Sequence, residues 1–171
     1  MRTREKTTRD IVPFLENQHR DVLSQIDQLT SALQGLHYEG KASLGKNIKE
    51  VEKALVFFHK ELLPHIVLDE EIIFPFLEKH IPKLQPMLSF LKAEHSEFAE
   101  SLHSFEKIFR RLQEEPGEQK SRAIIEQLRE KGIYLNCLIR NHIHTESEGV
   151  YRAIDEDLKK EEKRQLLEAI G

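Results

Sequence analysis

Residues 84–112 read LQPMLSFLKAEHSEFAESLHSFEKIFRRL. Leu84, Leu88, Leu91, His95, Phe98, Leu102, Phe105, Phe109 and Leu112 fall at alternating steps of three and four, the spacing that lines one face of an α-helix. Lys, Glu, Ser, Arg and Gln dominate the intervening positions, as a solvated face requires. All of the seam residues but one are apolar, and the exception is His95.

Three further runs obey the same rule. One holds Leu15, His19, Val22, Ile26, Leu29, Leu33 and Leu36. The next holds Ile48, Val51, Leu55, Phe58, Leu62, His65, Asp69, Ile72 and Phe76. The last holds Leu128, Gly132, Leu135, Leu138, His142, Glu146 and Gly149. Breaks fall between the runs at Tyr38-Glu39-Gly40, His80-Ile81-Pro82 and Glu115-Pro116-Gly117. Pro64 is expected to bend the second helix just before His65. Long helices joined by short connections make antiparallel neighbours. The expected fold is all-α, an up-down-up-down four-helix bundle with a short additional C-terminal helix over about 157–170. The expectation is a single domain over 1–171 with its core over about 8–155.

Composition agrees. The chain has 171 residues, 39% hydrophobic and 33% charged, enough for one domain with a real core. With one Cys there is no internal disulfide, and a reducing, cytoplasmic setting is expected. No apolar run suits a membrane span, and the start MRTREKTTRD lacks a signal-like apolar stretch. A net charge of −4 gives no electrostatic reason to expect nucleic acid as a partner. Nine histidines are the outlier.

The chain also repeats itself. Gln18-His19 matches Glu94-His95 at an offset of 76 residues. His65-Ile66-x-x-Asp69 matches His142-Ile143-x-x-Glu146 at 77, with Phe74 corresponding to Tyr151. Two helical hairpins of one design result, each with one His on its first helix and His-x-x-x-carboxylate on its second. Counting from the turns, His19 and His65 differ in level by about 6 Å and His65 and His95 by about 3 Å, while His95 and His142 are within a turn. All four share one layer. Asp69 lies beside His65, and Glu146 beside His142, because residues four apart share a helix face.

Two carboxylates and four imidazoles buried without partners cost several kcal/mol per ion, and a divalent cation removes that cost. Imidazole with carboxylate suits iron, zinc, copper or manganese. Six side chains exceed one tetrahedral site. Two ions, each held by two His and bridged by both carboxylates, use every group. They leave room for an oxo or hydroxo bridge and an open position for a small ligand such as O₂, NO or peroxide.

The paired His-x-x-x-acid motifs, with Ile-Ile-Phe-Pro inside LDEEIIFPFL, resemble the hemerythrin-like (HHE cation-binding) family over about residues 8–155. The resemblance implies a non-haem di-iron centre on His19, His65, Asp69, His95, His142 and Glu146, with zinc or manganese as possible substitutes. Oxygen-carrying hemerythrins have another His where this chain has Ala99, and place the last acid where it has Ser147. The four-His, two-carboxylate set therefore looks more like the branch tied to nitric oxide response and repair of iron centres. Glu is usual at position 69. Asp69 is one methylene shorter, and Glu70, about 140° round from His65, is the alternative ligand.

The resemblance implies a protein that binds or reacts with O₂ or NO in sensing, iron handling or stress response. A di-iron enzyme of NO reductase or peroxidase type is the alternative, and a metal-stabilised protein-interaction module the third reading. His37, His59, His80, His103 and His144 are assigned to surface or packing roles, with His59 and His144 the two candidates for supporting the ligands from outside. Tyr134 and Tyr151 could donate a hydrogen bond near the metals but are assigned to boundary packing, and Tyr151, more than two turns beyond His142, is not assigned as a direct ligand. Cys137 is expected to be a small buried residue.

Overall fold

The computed structural model describes residues 10–114 and 117–171. The opening stretch, residues 8 and 9 of the expected core, and Glu115-Pro116 of the third break lie outside the described residues. The first rod is α1 (Ile11–Tyr38). A 3₁₀ turn (Lys41–Ser43) leads into the second rod, made of α2 (Leu44–Phe57), α3 (Leu63–Leu68) and α4 (Phe74–His80). After a further 3₁₀ turn (Pro82–Leu84) comes the third rod, α5 (Gln85–Glu114). The fourth consists of α6 (Glu118–Thr145) and α7 (Arg152–Asp157). A short helix, α8 (Lys160–Ile170), follows and packs against the start of the bundle. The architecture is all-α, with four main rods and one short extra helix.

Two rods contain π-helical turns. Phe58–Leu62 joins α2 to α3, and Asp69–Ile73 joins α3 to α4. Glu146–Tyr151 joins α6 to α7. In the second rod each π turn is followed by a proline, Pro64 and Pro75. The Leu63 amide bonds back to Phe58 and that of Phe74 to Asp69, five residues earlier. Widening the helix here makes room for the ring that an α-turn would drive into a carbonyl. The bend expected at Pro64 is therefore a π turn within a continuous rod.

Each π turn shifts the buried face by one residue. Beyond Asp69 the buried positions are Ile73, Phe74 and Leu77, whereas Ile72 and Phe76 are only half-buried. Likewise Val150 is buried in place of the expected Gly149 beyond Glu146, whereas Ile139 is already buried in place of Leu138 ahead of that turn. The first and third rods contain no such turn, and their seams are buried as read, from Leu15 to Leu36 and from Leu84 to Leu112.

The first connection differs from a glycine-capped helix end. Glu39 turns extended (φ −91°, ψ 135°) and Gly40 keeps a negative φ. The glycine that matters here is Gly35. A Cβ on it would meet the Asn47 side chain at 2.6 Å, so its absence lets the buried Asn47 lie against α1 and donate to Glu39 Oε2 at 3.3 Å. The second connection ends α4 where Pro82 excludes helical geometry from Ile81 (φ −132°, ψ 71°). The final helix starts at Lys160 rather than near 157, because Leu158 is extended and buried under it.

Side chains between the rods form two apolar clusters. One, centred on Ile26, Leu29, Phe58, Phe105 and Leu128, fills the half near the first connection. The other, centred on Leu15, Phe74, Leu77, Leu88 and Ile154, fills the half under α8. A layer of buried polar side chains separates them.

Candidate metal centre

That layer contains His19, His65, Asp69, His95 and Glu146, all buried, and His142, 15% exposed. The imidazoles associate by hairpin. His19 and His65 have ring centroids 5.3 Å apart, and His95 and His142 4.6 Å. Each carboxylate lies between the two pairs. Asp69 Oδ2 is 3.4 Å from His65 Nε2 and 3.7 Å from His95 Nε2. Glu146 Oε2 is 3.1 Å from His19 Nε2 and 3.4 Å from His142 Nε2. His19, His65 and Glu146 each offer a ligand atom within 4.8 Å of the others.

These contacts are close without being well-aligned hydrogen bonds. His65 Nε2 and all four carboxylate oxygens of Asp69 and Glu146 are buried with no such partner among the described residues. Lone pairs converging on a common point inside a protein are costly unless a cation sits among them. The donor chemistry, imidazole with carboxylate, fits a transition-metal ion.

Electrostatics describe the same strain. Burial pushes the His65 imidazole down to about 4 against the pull of Glu146. Burial and the neighbouring His142 also lower His95. His142 is raised despite its burial, because the Glu146 and Glu94 carboxylates hold its proton. Asp69 is pushed well above the carboxylate range by burial and by Glu146. Glu146, although buried, is held low by His142 and His19. Without a cation, the two carboxylates cannot both ionise at ordinary cost.

Three of the imidazoles are oriented by hydrogen bonds on the nitrogen facing away from the cluster. Gln18 Oε1 accepts from His65 Nδ1 at 2.7 Å and Glu94 Oε2 from His142 Nδ1 at 2.9 Å. Glu70 Oε1 accepts from His95 Nδ1 at 2.9 Å. Glu70 is 40% exposed and points at the back of an imidazole, while Asp69 is fully buried in the layer. His19 Nδ1 has no such partner among the described residues.

The residue 77 positions after Glu70 is Ser147, whose hydroxyl instead donates to Glu16 at 3.3 Å. Gln18 and Glu94 were visible in the sequence as the residues preceding His19 and His95 in the repeat. Their role was not, because position alone does not say which ring they meet.

Tyr151 corrects the boundary-packing assignment and takes the other role open to it, a hydrogen bond in the layer. It is 1% exposed, its ring stacks on His19 at 5.0 Å, and its hydroxyl is 3.0 Å from His19 Nε2. The π turn opened by Glu146 and the lean of helical side chains toward the N-terminus return it to the layer. Phe74, its counterpart, stacks on His95 at 5.8 Å. The available signal was the Phe74–Tyr151 correspondence itself. Tyr134 is on the surface, 42% exposed.

The remaining histidines lie apart from the layer. His59 is exposed and pairs with Glu106, and His144 faces solvent, so neither supports the ligands. Both lie on the outward side of their rods. His37 pairs with Glu126, His80 with Glu162, and His103 is exposed. Cys137 also faces solvent rather than the core, because the seam there runs through Leu135 and Ile139.

On the side of the layer away from Tyr151 and Phe74 is a cavity of about 30 Å³. Val22, Leu62, Phe98 and Ile139 wall it, each one turn from a histidine of the layer. Ala99 is exposed, so the position one turn past His95 that faces inward is Phe98.

Compared with known families, residues 10–154 match the one described as the hemerythrin HHE cation-binding domain. The chain belongs to this family. The match spans all four rods of the HHE domain and ends within α7, before α8. No match to a curated protein was found. The HHE domain is a cation-binding helical fold, and the buried His–carboxylate layer described above is where its donor atoms converge. Among the described residues no helix is long and apolar enough to cross a membrane.

Proposed function

We propose that this HHE domain is a non-haem di-iron protein of the four-His, two-carboxylate branch. In this reading it binds or reacts with O₂ or NO in cytoplasmic sensing, iron handling or stress response. The observation that carries it is the position of each carboxylate between two histidine pairs. His19 and His65 would hold one ion, His95 and His142 the other, with Asp69 and Glu146 shared between them. A pair of iron ions there supplies redox chemistry and an open position for a diatomic molecule.

The protein's own residues prepare the rest. Gln18, Glu94 and Glu70 orient three imidazoles so that each turns Nε2 inward. Beside them is a space with mostly apolar walls, large enough for one small molecule. That cavity favours small-ligand chemistry over a purely structural ion, which needs no space next to its ligands.

Anaerobic loading with ferrous iron followed by exposure to O₂ or NO tests the reading. Two irons per chain and a change in the visible spectrum on exposure are expected. Fewer than one iron per chain, with no spectral change, would overturn it.

A further inference from the structure

The two halves of the centre are related by the repeat, and where they differ the differences have one sense. The pair His95–His142 has an outer carboxylate on each ring, Glu70 and Glu94. Among the described residues, the pair His19–His65 has only the neutral amide of Gln18, with nothing on His19 Nδ1. Outer carboxylates make a ligating imidazole more electron-rich and stabilise a higher charge on the ion. One ion position is thus rich in negative charge and the other poor.

The poor side has an ionisable group where the rich side has a phenyl ring. Phe74 and Tyr151 fill equivalent places 77 residues apart, each stacked on the histidine of the opposite hairpin. Packing alone is served by phenyl, as Phe74 shows, so the Tyr151 hydroxyl is an addition with a direction. It is directed at His19 Nε2, the nitrogen that faces Glu146, at 3.0 Å. Two ligands bound at right angles, each about 2.1 Å from one ion, are themselves about 3.0 Å apart. The contacts of His19 Nε2 with Tyr151 and Glu146, 3.0 and 3.1 Å, both have that length.

We propose that Tyr151 is a seventh protein ligand of this centre. Its phenolate oxygen binds the ion held by His19, His65 and Glu146 and supplies the negative charge which that side lacks. This rests on the di-iron reading above. On binding, the phenol O–H bond breaks, the oxygen–metal bond forms, and the proton leaves to solvent; no electron is transferred. Phenolate is an established type of iron ligand.

The experiment is a visible absorption and resonance Raman comparison of the ferric-loaded protein with its Tyr151→Phe variant, iron content being measured on both. A phenolate-to-iron charge-transfer band with enhanced tyrosine ring modes is expected in the unaltered protein. The chain has three tyrosines, and Tyr38 and Tyr134 are 74% and 42% exposed, so such modes report Tyr151. The variant is expected to keep both irons and lose the band. Loaded protein without phenolate modes, or a variant whose spectrum is unchanged, overturns the proposal while leaving the di-iron reading intact. The Raman arm needs no substitution, so it decides even if the variant does not fold. Failure of the unaltered chain to bind iron overturns the di-iron reading and this inference with it.

Discussion

Glu70 Oε1 accepts the Nδ1 proton of His95 at 2.9 Å, from outside the polar layer. The carboxylate fixes the tautomer, so that Nε2 faces inward as a lone-pair donor, and it makes the ring a stronger ligand. Glu70→Ala is therefore expected to weaken metal binding about ten- to a hundredfold while leaving the number of ions bound at saturation unchanged. Chelator competition measures this. Unchanged affinity would mean that packing against Phe74 alone orients the ring.

Asp69 produces the opposite balance between folding and binding. Buried beside Glu146, its carboxyl is pushed well above the unfolded-chain value, so at neutral pH the metal-free fold is destabilised by it. Asp69→Asn keeps the shape and removes the charge. The metal-free variant is expected to melt higher than the parent, by about 2–4 °C for each kcal/mol relieved. Its metal affinity is expected to fall. Paired thermal melts with and without iron check both directions, and a lower metal-free melting temperature would contradict the first.

His65 sets an acid limit for the metal-free protein. Its folded-state value of about 4 is below the unfolded 6.5, so the unfolded chain binds the extra proton first as pH falls. The contribution of His65 is complete above about pH 6.5 and is lost as pH falls toward 4, in total about 3 kcal/mol. An NMR titration of the metal-free protein should show the His65 ring still neutral at pH 5. A midpoint near 6.5 for His65 would refute this.

The apolar cavity is tested by filling it. Val22 is 2% exposed and lines the space beside His19 and His65. Val22→Phe puts a phenyl ring into about 30 Å³ of room, at an overpacking cost of about 1–3 kcal/mol. The expected result is normal iron content with association of O₂ or NO slowed at least tenfold, measured by stopped-flow absorption. Equal rates would move the ligand's approach to another face.

The seams of the first and third rods were fully legible because an unbroken α-helix repeats faithfully, and every seam residue from Leu15 to Leu36 and from Leu84 to Leu112 is buried. Five of the six layer residues could be read for the same reason: His19 and His95 are on unbroken helices, His142 lies upstream of the π turn in its rod, and Asp69 and Glu146 each open one, while His65, past the first π turn of its rod, is tied to Asp69 by their four-residue spacing. Downstream the count fails by one, and Ile73 and Leu77 take the places expected for Ile72 and Phe76. Prolines at 64 and 75 hinted at an irregularity, but a proline signals a missing amide and not which wider turn absorbs it. Tyr151 escaped because its reach depends on such a turn. Gln18 and Glu94 escaped because a residue adjacent to a seam position is on the flank of its helix, and only the neighbouring rod decides what it touches.

The polar layer also divides the interior. Instead of one continuous core, the rods enclose two, one around Phe105 and the other around Leu88, with a plate of imidazoles and carboxylates between them. Oil does not wet that plate, so cooperativity between the two halves must pass through backbone and through whatever ties the plate together. A pair of ions whose ligands come from all four rods would act as a rivet. Hydrogen exchange should accordingly find the two halves opening independently in the metal-free chain and as one body once loaded, making the centre a mechanical joint as well as a chemical one.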